Sequence, residues 1–152
     1  MKSADDSFIS STFWTERIGF VAGLKTLNVF DEIKPWEIVT AQGDYIRSSW
    51  LNLADNYNLE IEISGLRALS TFNFSSGNNL LYKTYITQEM LKKNILATNT
   101  VYLSVLHSRE VIDRYIEELD PIFAMIAKSK DDLNLNDYID GRICRSGFKR
   151  LN

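Results

Sequence analysis

Cysteine is nearly absent from this chain, and that alone removes several possibilities. The only one, Cys144, rules out an internal disulfide and any zinc site built from cysteines. The only histidine, His107, rules out a multi-histidine metal site. A basic excess is missing too. Against 20 Asp and Glu stand 17 Lys and Arg, giving a net charge of −3 and arguing against a nucleic-acid partner. No apolar run reaches the roughly 20 residues a bilayer span requires. Met1-Lys2 is followed by Asp5-Asp6 and not by an apolar stretch, so the start does not read as a signal peptide. With its single thiol, the chain reads as soluble and cytoplasmic, with no membrane partner. Repeats, low-complexity blocks, metal-ligand spacings and glycine-rich nucleotide loops are also lacking.

What is present is enough apolar material, 45% of 152 residues, for one domain with a real core. The stretch "FISSTFWTERIGFVAG" places Ser10, Ser11, Thr12 and Thr15 before an apolar helical pattern over about residues 15–31. Thr15 can cap that helix and Glu16 falls in its first turn. Gly19 and Gly23, one turn apart, would admit another backbone at close range. The hydroxyls themselves have two readings: caps, or half of a phosphate site at a helix start.

Pro35 opens a second helix running to about Tyr57, with Ile38, Ala41, Gln42, Tyr45, Ser49, Leu53 and Asn56 along one side. Val39, Ile46 and Trp50 widen that side. The period then changes to two in "LEIEISG", a half-buried strand with Glu60 and Glu62 outward, stopped by Gly65. "LRALSTFNFS" is its hairpin partner. A third helix covers about residues 79–93 and ends at Asn94, and "TVYLSVLH" is strand-like. Ser108 caps a strongly amphipathic helix carrying Ile112, Tyr115, Ile116, Leu119, Ile122, Phe123 and Ile126 on one face. Pro121 inside it predicts a kink or break. The fold class is α+β, with helices packed on a small, mostly antiparallel sheet.

Chemistry candidates are few. His107, beside Ser108 at a helix start, reads as structural. Cys144 lies among Arg142, Arg145, Lys149 and Arg150, which could lower its pKa, yet no histidine is near it in sequence.

Read as a whole, "SSTFWTERIGFVAGLKTLNVF" resembles the region after the active-site lysine in class III, pyridoxal-phosphate-dependent aminotransferases, the glutamate-1-semialdehyde aminomutase-like group in particular. Thr12 stands at the family threonine, Glu16-Arg17 replace the usual Asn-Pro, and Val21-Ala22-Gly23 match the helix. "YKTYITQEMLKKNILAT" is similar to the helix and turn before the family's last strand. "VYLSVLHSREVIDRYIEELDPIF" resembles its strand-to-helix junction through Ser104, His107 and Ser108. The resemblance runs collinearly over about residues 5–127.

That resemblance implies the C-terminal small domain of a fold-type I enzyme: a phosphate-loop leader over 1–14, the small domain over 15–127 and a polar, basic tail over 128–152. It implies that Thr12, with the Ser11 amide as a second candidate, binds the phosphate of pyridoxal 5'-phosphate across a homodimer. The Schiff-base lysine, the aspartate that pairs with the pyridine nitrogen and the glycine-rich turn precede this region in the family. None of Lys25, Lys34, Lys83, Lys92 and Lys93 matches that lysine, so the chain would need the large N-terminal domain as its partner and would be inactive alone. Asn99 stands where the aminomutases carry a glutamate, so transamination between an amino donor and an aldehyde or keto compound is expected in preference to the mutase reaction. A free-standing interaction module reusing this fold, or a small enzyme using Cys144 or His107, are the other readings.

Overall fold

The computed structural model describes residues 16–75, 77–130 and 134–147. The chain forms two compact units that divide between Pro35 and Trp36.

The first unit's described part is one helix, α1 (Ile18–Ile33). It begins later than the expected residue 15. Arg17 is its N-cap and makes no side-chain cap bond, so Glu16 precedes the first turn, while Thr15 lies outside the described residues. Lys34, at φ +45°, closes the helix by returning its amide to the Phe30 carbonyl at 2.9 Å. The helical region is disfavoured there because Pro35 follows. No residue of α1 is buried; Ile18 is 71% and Phe20 69% exposed. Nothing lies within 4 Å of a Cβ built on Gly19 or Gly23, so no described residue makes the close approach expected there.

The second unit holds all but the first residue of α2 (Pro35–Asn56), bounded almost as its sequence predicts. Its buried face is narrower than expected: Ile46, Ser49, Trp50 and Leu53 of the expected side point inward, joined by Gly43 and Ala54, whereas Ile38, Ala41 and Asn56 are exposed. The widest side chain decides the rotation. Trp50 is fully buried and packs edge-on to Phe72 with centroids 4.7 Å apart. Asn58, at φ +51°, then turns the chain, and the Leu59 amide returns to the Ala54 carbonyl at 2.8 Å.

Strands β1 (Ile61–Leu66), β2 (Leu69–Phe74) and β3 (Thr100–Tyr102) form an antiparallel sheet in that order, with Ile63 opposite Phe72 and Leu69 opposite Tyr102. Gly65 does not stop β1. It sits inside the strand at φ +84°, where a side chain would meet the Leu69 carbonyl, and the two-residue turn Arg67-Ala68 closes the hairpin one residue later. Phe72 and Phe74 face the core, and the buried Ser70 hydroxyl accepts from Arg47 Nε at 2.7 Å.

Helix α3 (Asn79–Lys92) is capped by Asn78, whose Oδ1 accepts from the Leu81 amide, and it gives way at Asn94, φ +60°. Only three residues of "TVYLSVLH" are strand. Leu103 still donates to the Ala68 carbonyl, but the His107 amide then donates to the Ser104 carbonyl at 2.9 Å and the chain turns. Helix α4 (Arg109–Lys128) has the expected cap, Ser108, and the expected inner face, with Ile112, Tyr115, Leu119, Ile122, Phe123 and Ile126 buried. Pro121 neither breaks nor ends it. Pro121 and Glu117, whose carbonyl loses its helical partner there, are both exposed, so water can serve that carbonyl. A 3₁₀ turn (Leu135–Tyr138) buries Leu135 in the core. The segment after it is held to α3: the Asp140 amide donates to Gln88 and the Cys144 amide to Thr84. The result is the expected α+β class, with four α-helices and three antiparallel strands among the described residues.

Candidate functional site

Ser11 and Thr12, the residues expected to hold a cofactor phosphate, lie outside the described residues. The remaining candidates gather where α2, β3 and the start of α4 meet.

The junction Ser104–Ser108 is a tight turn closed by its own histidine. The Ser104 amide donates to His107 Nδ1 at 3.0 Å, which places the ring proton of the neutral imidazole on Nε2. The His107 carbonyl accepts from Gln42 Nε2 at 2.7 Å, tying the turn to α2. Gln42 Oε1 is buried and has no hydrogen-bond partner among the described residues. One turn further along α2, Tyr45 donates its hydroxyl to Asp113 Oδ1 at 2.6 Å. Arg109 Nε reaches both oxygens of the same carboxylate at 3.0 and 3.1 Å, and its guanidinium stacks 3.4 Å from the centre of the Tyr45 ring. These contacts fix the first turns of α4 against α2.

Beside this junction lies a groove of about 600 Å³, bounded by β3, the connection that leads into it from α3, and the first two turns of α4. Ile46, Ile95, Leu103 and Ile112 make its walls apolar, and His107 and Arg114 stand among its few polar residues. The Tyr115 ring also lines it. Its hydroxyl accepts from Trp50 Nε1 at 3.0 Å, and burial pushes the phenol well above the ordinary tyrosine value.

This arrangement does not suit pyridoxal phosphate on its own. An internal aldimine needs a lysine amine in the site, and no lysine lines the groove. Lys92 pairs with Glu89 at 2.8 Å and with Asp140 at 3.3 Å; the hydrogen bond to Glu89 holds its amine above the usual lysine value. Lys93 pairs with Glu118 at 3.2 Å. Cys144 is half-buried and its thiol donates to the Leu80 carbonyl, an anchoring contact. Asn99 extends the sheet ladder, its carbonyl accepting from the Phe72 amide at 3.0 Å and its side-chain Nδ2 donating to the Phe72 carbonyl at 2.9 Å and to Asn73 Oδ1 at 3.2 Å. Among the described residues there is no cluster able to hold a metal ion, and no helix long and apolar enough to cross a membrane.

The sequence brought out Ser104, His107 and Ser108 as a unit, and they are one. Gln42, Tyr45 and Arg114 were not recognisable as neighbours of this junction, because α2 and α4 meet across 65 to 68 positions of chain. A glutamine and a tyrosine one turn apart on a helix otherwise give no signal.

No protein-family profile matches the chain, and no curated protein does. A solved structure does: the internal aldimine form, with pyridoxal phosphate, of the FumI protein of Sphingopyxis sp. MTA144, with a TM-score of 0.74 at 19% identity over 90% of this chain. The match covers 34% of the FumI chain, so this chain spans about a third of that protein's length. The two share a fold: this chain has the α+β architecture of one part of a pyridoxal-phosphate-bound protein.

Proposed function

We propose that the chain is the C-terminal small domain of a pyridoxal-phosphate-dependent aminotransferase of the class III, glutamate-1-semialdehyde aminomutase-like group. In this reading it packs beside an active site whose Schiff-base lysine belongs to a large domain, and the enzyme moves an amino group between an amino donor and an aldehyde or keto compound. Thr12, with the Ser11 amide, completes the phosphate site of the other subunit of a cytoplasmic homodimer. The observation that carries the reading is the fold shared with FumI over nine-tenths of the chain. The lack of any lysine along the groove agrees with it, since such a domain supplies surroundings and not the electron sink.

The test is a pyridoxal phosphate titration of the purified 152-residue chain, followed by borohydride reduction and peptide mapping. Scattered, substoichiometric labelling is the expected result. A stoichiometric adduct on one lysine would mean that the chain builds its own aldimine site, and the proposal would fail. A second reading, an interaction module that reuses the fold, is favoured by the apolar helix α1, none of whose residues is buried. A defined oligomer whose stability is indifferent to the cofactor would select it.

A further inference from the structure

The sheet has two free edges, and they are treated differently. In the register of β2 with β3, Val101 faces Ser70, while the Leu103 amide donates to the Ala68 carbonyl and the Phe72 amide to the Asn99 carbonyl. Those alternate residues use their backbone groups toward β2. Thr100 and Tyr102, the residues between them, therefore turn their N–H and C=O groups away from β2, along the open edge. No described residue pairs with that edge.

At β1, the other edge, pairing is discouraged. Glu60 precedes it, Glu62 lies within it, and Arg47 Nη2 occupies the Gly65 carbonyl at 2.6 Å. At β3 no charge guards the edge. Thr100, Val101 and Tyr102 all line the groove of about 600 Å³, and its border includes Leu96, 88% exposed, and Tyr102, 75% exposed. Arg114 is the one permanently charged residue in the lining. It gives an Nη2 hydrogen to the Lys93 carbonyl at 3.2 Å and has no carboxylate partner among the described residues.

An unpaired backbone edge beside an apolar trough calls for an occupant with its own extended backbone, and a lone cation calls for an acid. We propose that the free edge of β3 and the groove beside it take up an extended peptide segment of a partner protein, with apolar side chains at alternate positions and a carboxylate for Arg114. Thr100 and Tyr102 supply main-chain hydrogen bonds to the added strand. The groove receives every second side chain. This inference stands independently of the aminotransferase reading.

The probe is a phage-displayed library of random octapeptides, selected on the full 152-residue chain. Enrichment of alternating apolar residues with an Asp or Glu is expected. Two variants then separate the edge from mere stickiness. Tyr102→Pro deletes an edge N–H that β2 does not use, a position where a strand tolerates proline. Arg114→Glu inverts the charge at an exposed residue. Each should weaken the selected peptides about tenfold or more. Exchanging the acidic residue of the peptide for Lys should restore binding to Arg114→Glu, and Glu62→Lys on the opposite edge should change nothing. Circular dichroism and amide dispersion verify that each variant is folded; were Tyr102→Pro unfolded, the Arg114→Glu charge exchange alone decides. The proposal is overturned if no peptide family is enriched, or if the selected peptides bind the folded variants as tightly as the parent. It is overturned too if the chain alone protects the Thr100 and Tyr102 amides from hydrogen exchange as its concentration rises, because a second copy would then be the occupant.

Discussion

Gly43 is in the middle of α2, where helix propensity speaks against glycine. Packing explains it: a Cβ there would run into the Arg67 carbonyl at the turn between β1 and β2. Gly43→Ala should therefore cost about 1–3 kcal/mol, the usual penalty for overpacking, despite the better helix former. A urea titration followed by circular dichroism would measure it. Tyr115 offers a second test at the same scale. Its phenol is raised by burial, and those of Tyr57 and Tyr85 are raised as well, the first mainly by its hydrogen bond to Asp120 and the second mainly by burial. A group with a raised folded-state value contributes its stability fully below the unfolded value, about 10 for tyrosine, and loses it as the pH rises further. The fold should accordingly weaken above about pH 10, with tyrosinate absorbance appearing together with loss of near-ultraviolet circular dichroism. Tyr115→Phe should flatten that alkaline slope. At neutral pH it should cost about 1–3 kcal/mol, because the Trp50 indole N–H loses its acceptor inside the core.

The elements show which sequence signals survive folding. The inner face of α4 was legible because seven apolar residues keep helical spacing over fifteen positions between polar flanks, and six of them are buried. The face of α2 was legible in part: Ile46, Ser49, Trp50 and Leu53 of the expected side are buried, but apolar residues on two overlapping sides drew in Ile38 and Ala41 as well. Contacts made only on folding, of Trp50 with Phe72 and Tyr115 and of Gly43 with the β1–β2 turn, favour the side of Ile46 and Trp50 over that of Ile38 and Ala41. β3 was over-read for a related reason. The strand-like composition of "TVYLSVLH" continues past Tyr102, but the turn held by the Ser104 amide and His107 Nδ1 ends the strand, and such a turn leaves no periodic trace. The groove was illegible in the same way, because its walls come from three separated stretches of chain that only the folded unit assembles. Pro121, expected to kink or break the helix, does not break it: twelve residues before it and seven after it belong to the same helix and continue the same inner face. Because its cost is a missing hydrogen bond on the exposed side, Pro121→Ala should stabilise the protein by about 1–3 kcal/mol. Chemical denaturation of the two proteins side by side would detect that gain.

At the scale of the molecule, burial is divided unevenly between the two units. Every described residue of the apolar core, from Ile46 to Leu135, belongs to the unit that begins at Trp36, and α1 contributes none. Helix α1 is nonetheless apolar around most of its circumference, with Ile18, Phe20, Val21, Leu24, Leu27 and Phe30 exposed on different sides. A helix of that composition is one built for burial. The units should therefore differ in what they require. A chain beginning at Trp36 should keep cooperative unfolding and the near-ultraviolet spectrum of Trp50, because every described core residue lies in the part retained. It should also be more soluble than the 152-residue chain, because the exposed apolar helix goes with the deleted segment. Within the longer chain, Phe20→Glu or Leu24→Glu should reduce concentration-dependent association in sedimentation velocity without moving the urea midpoint of the Trp50 signal. A midpoint that fell with either substitution would mean that α1 supports the core, and the two-unit description would have to be given up.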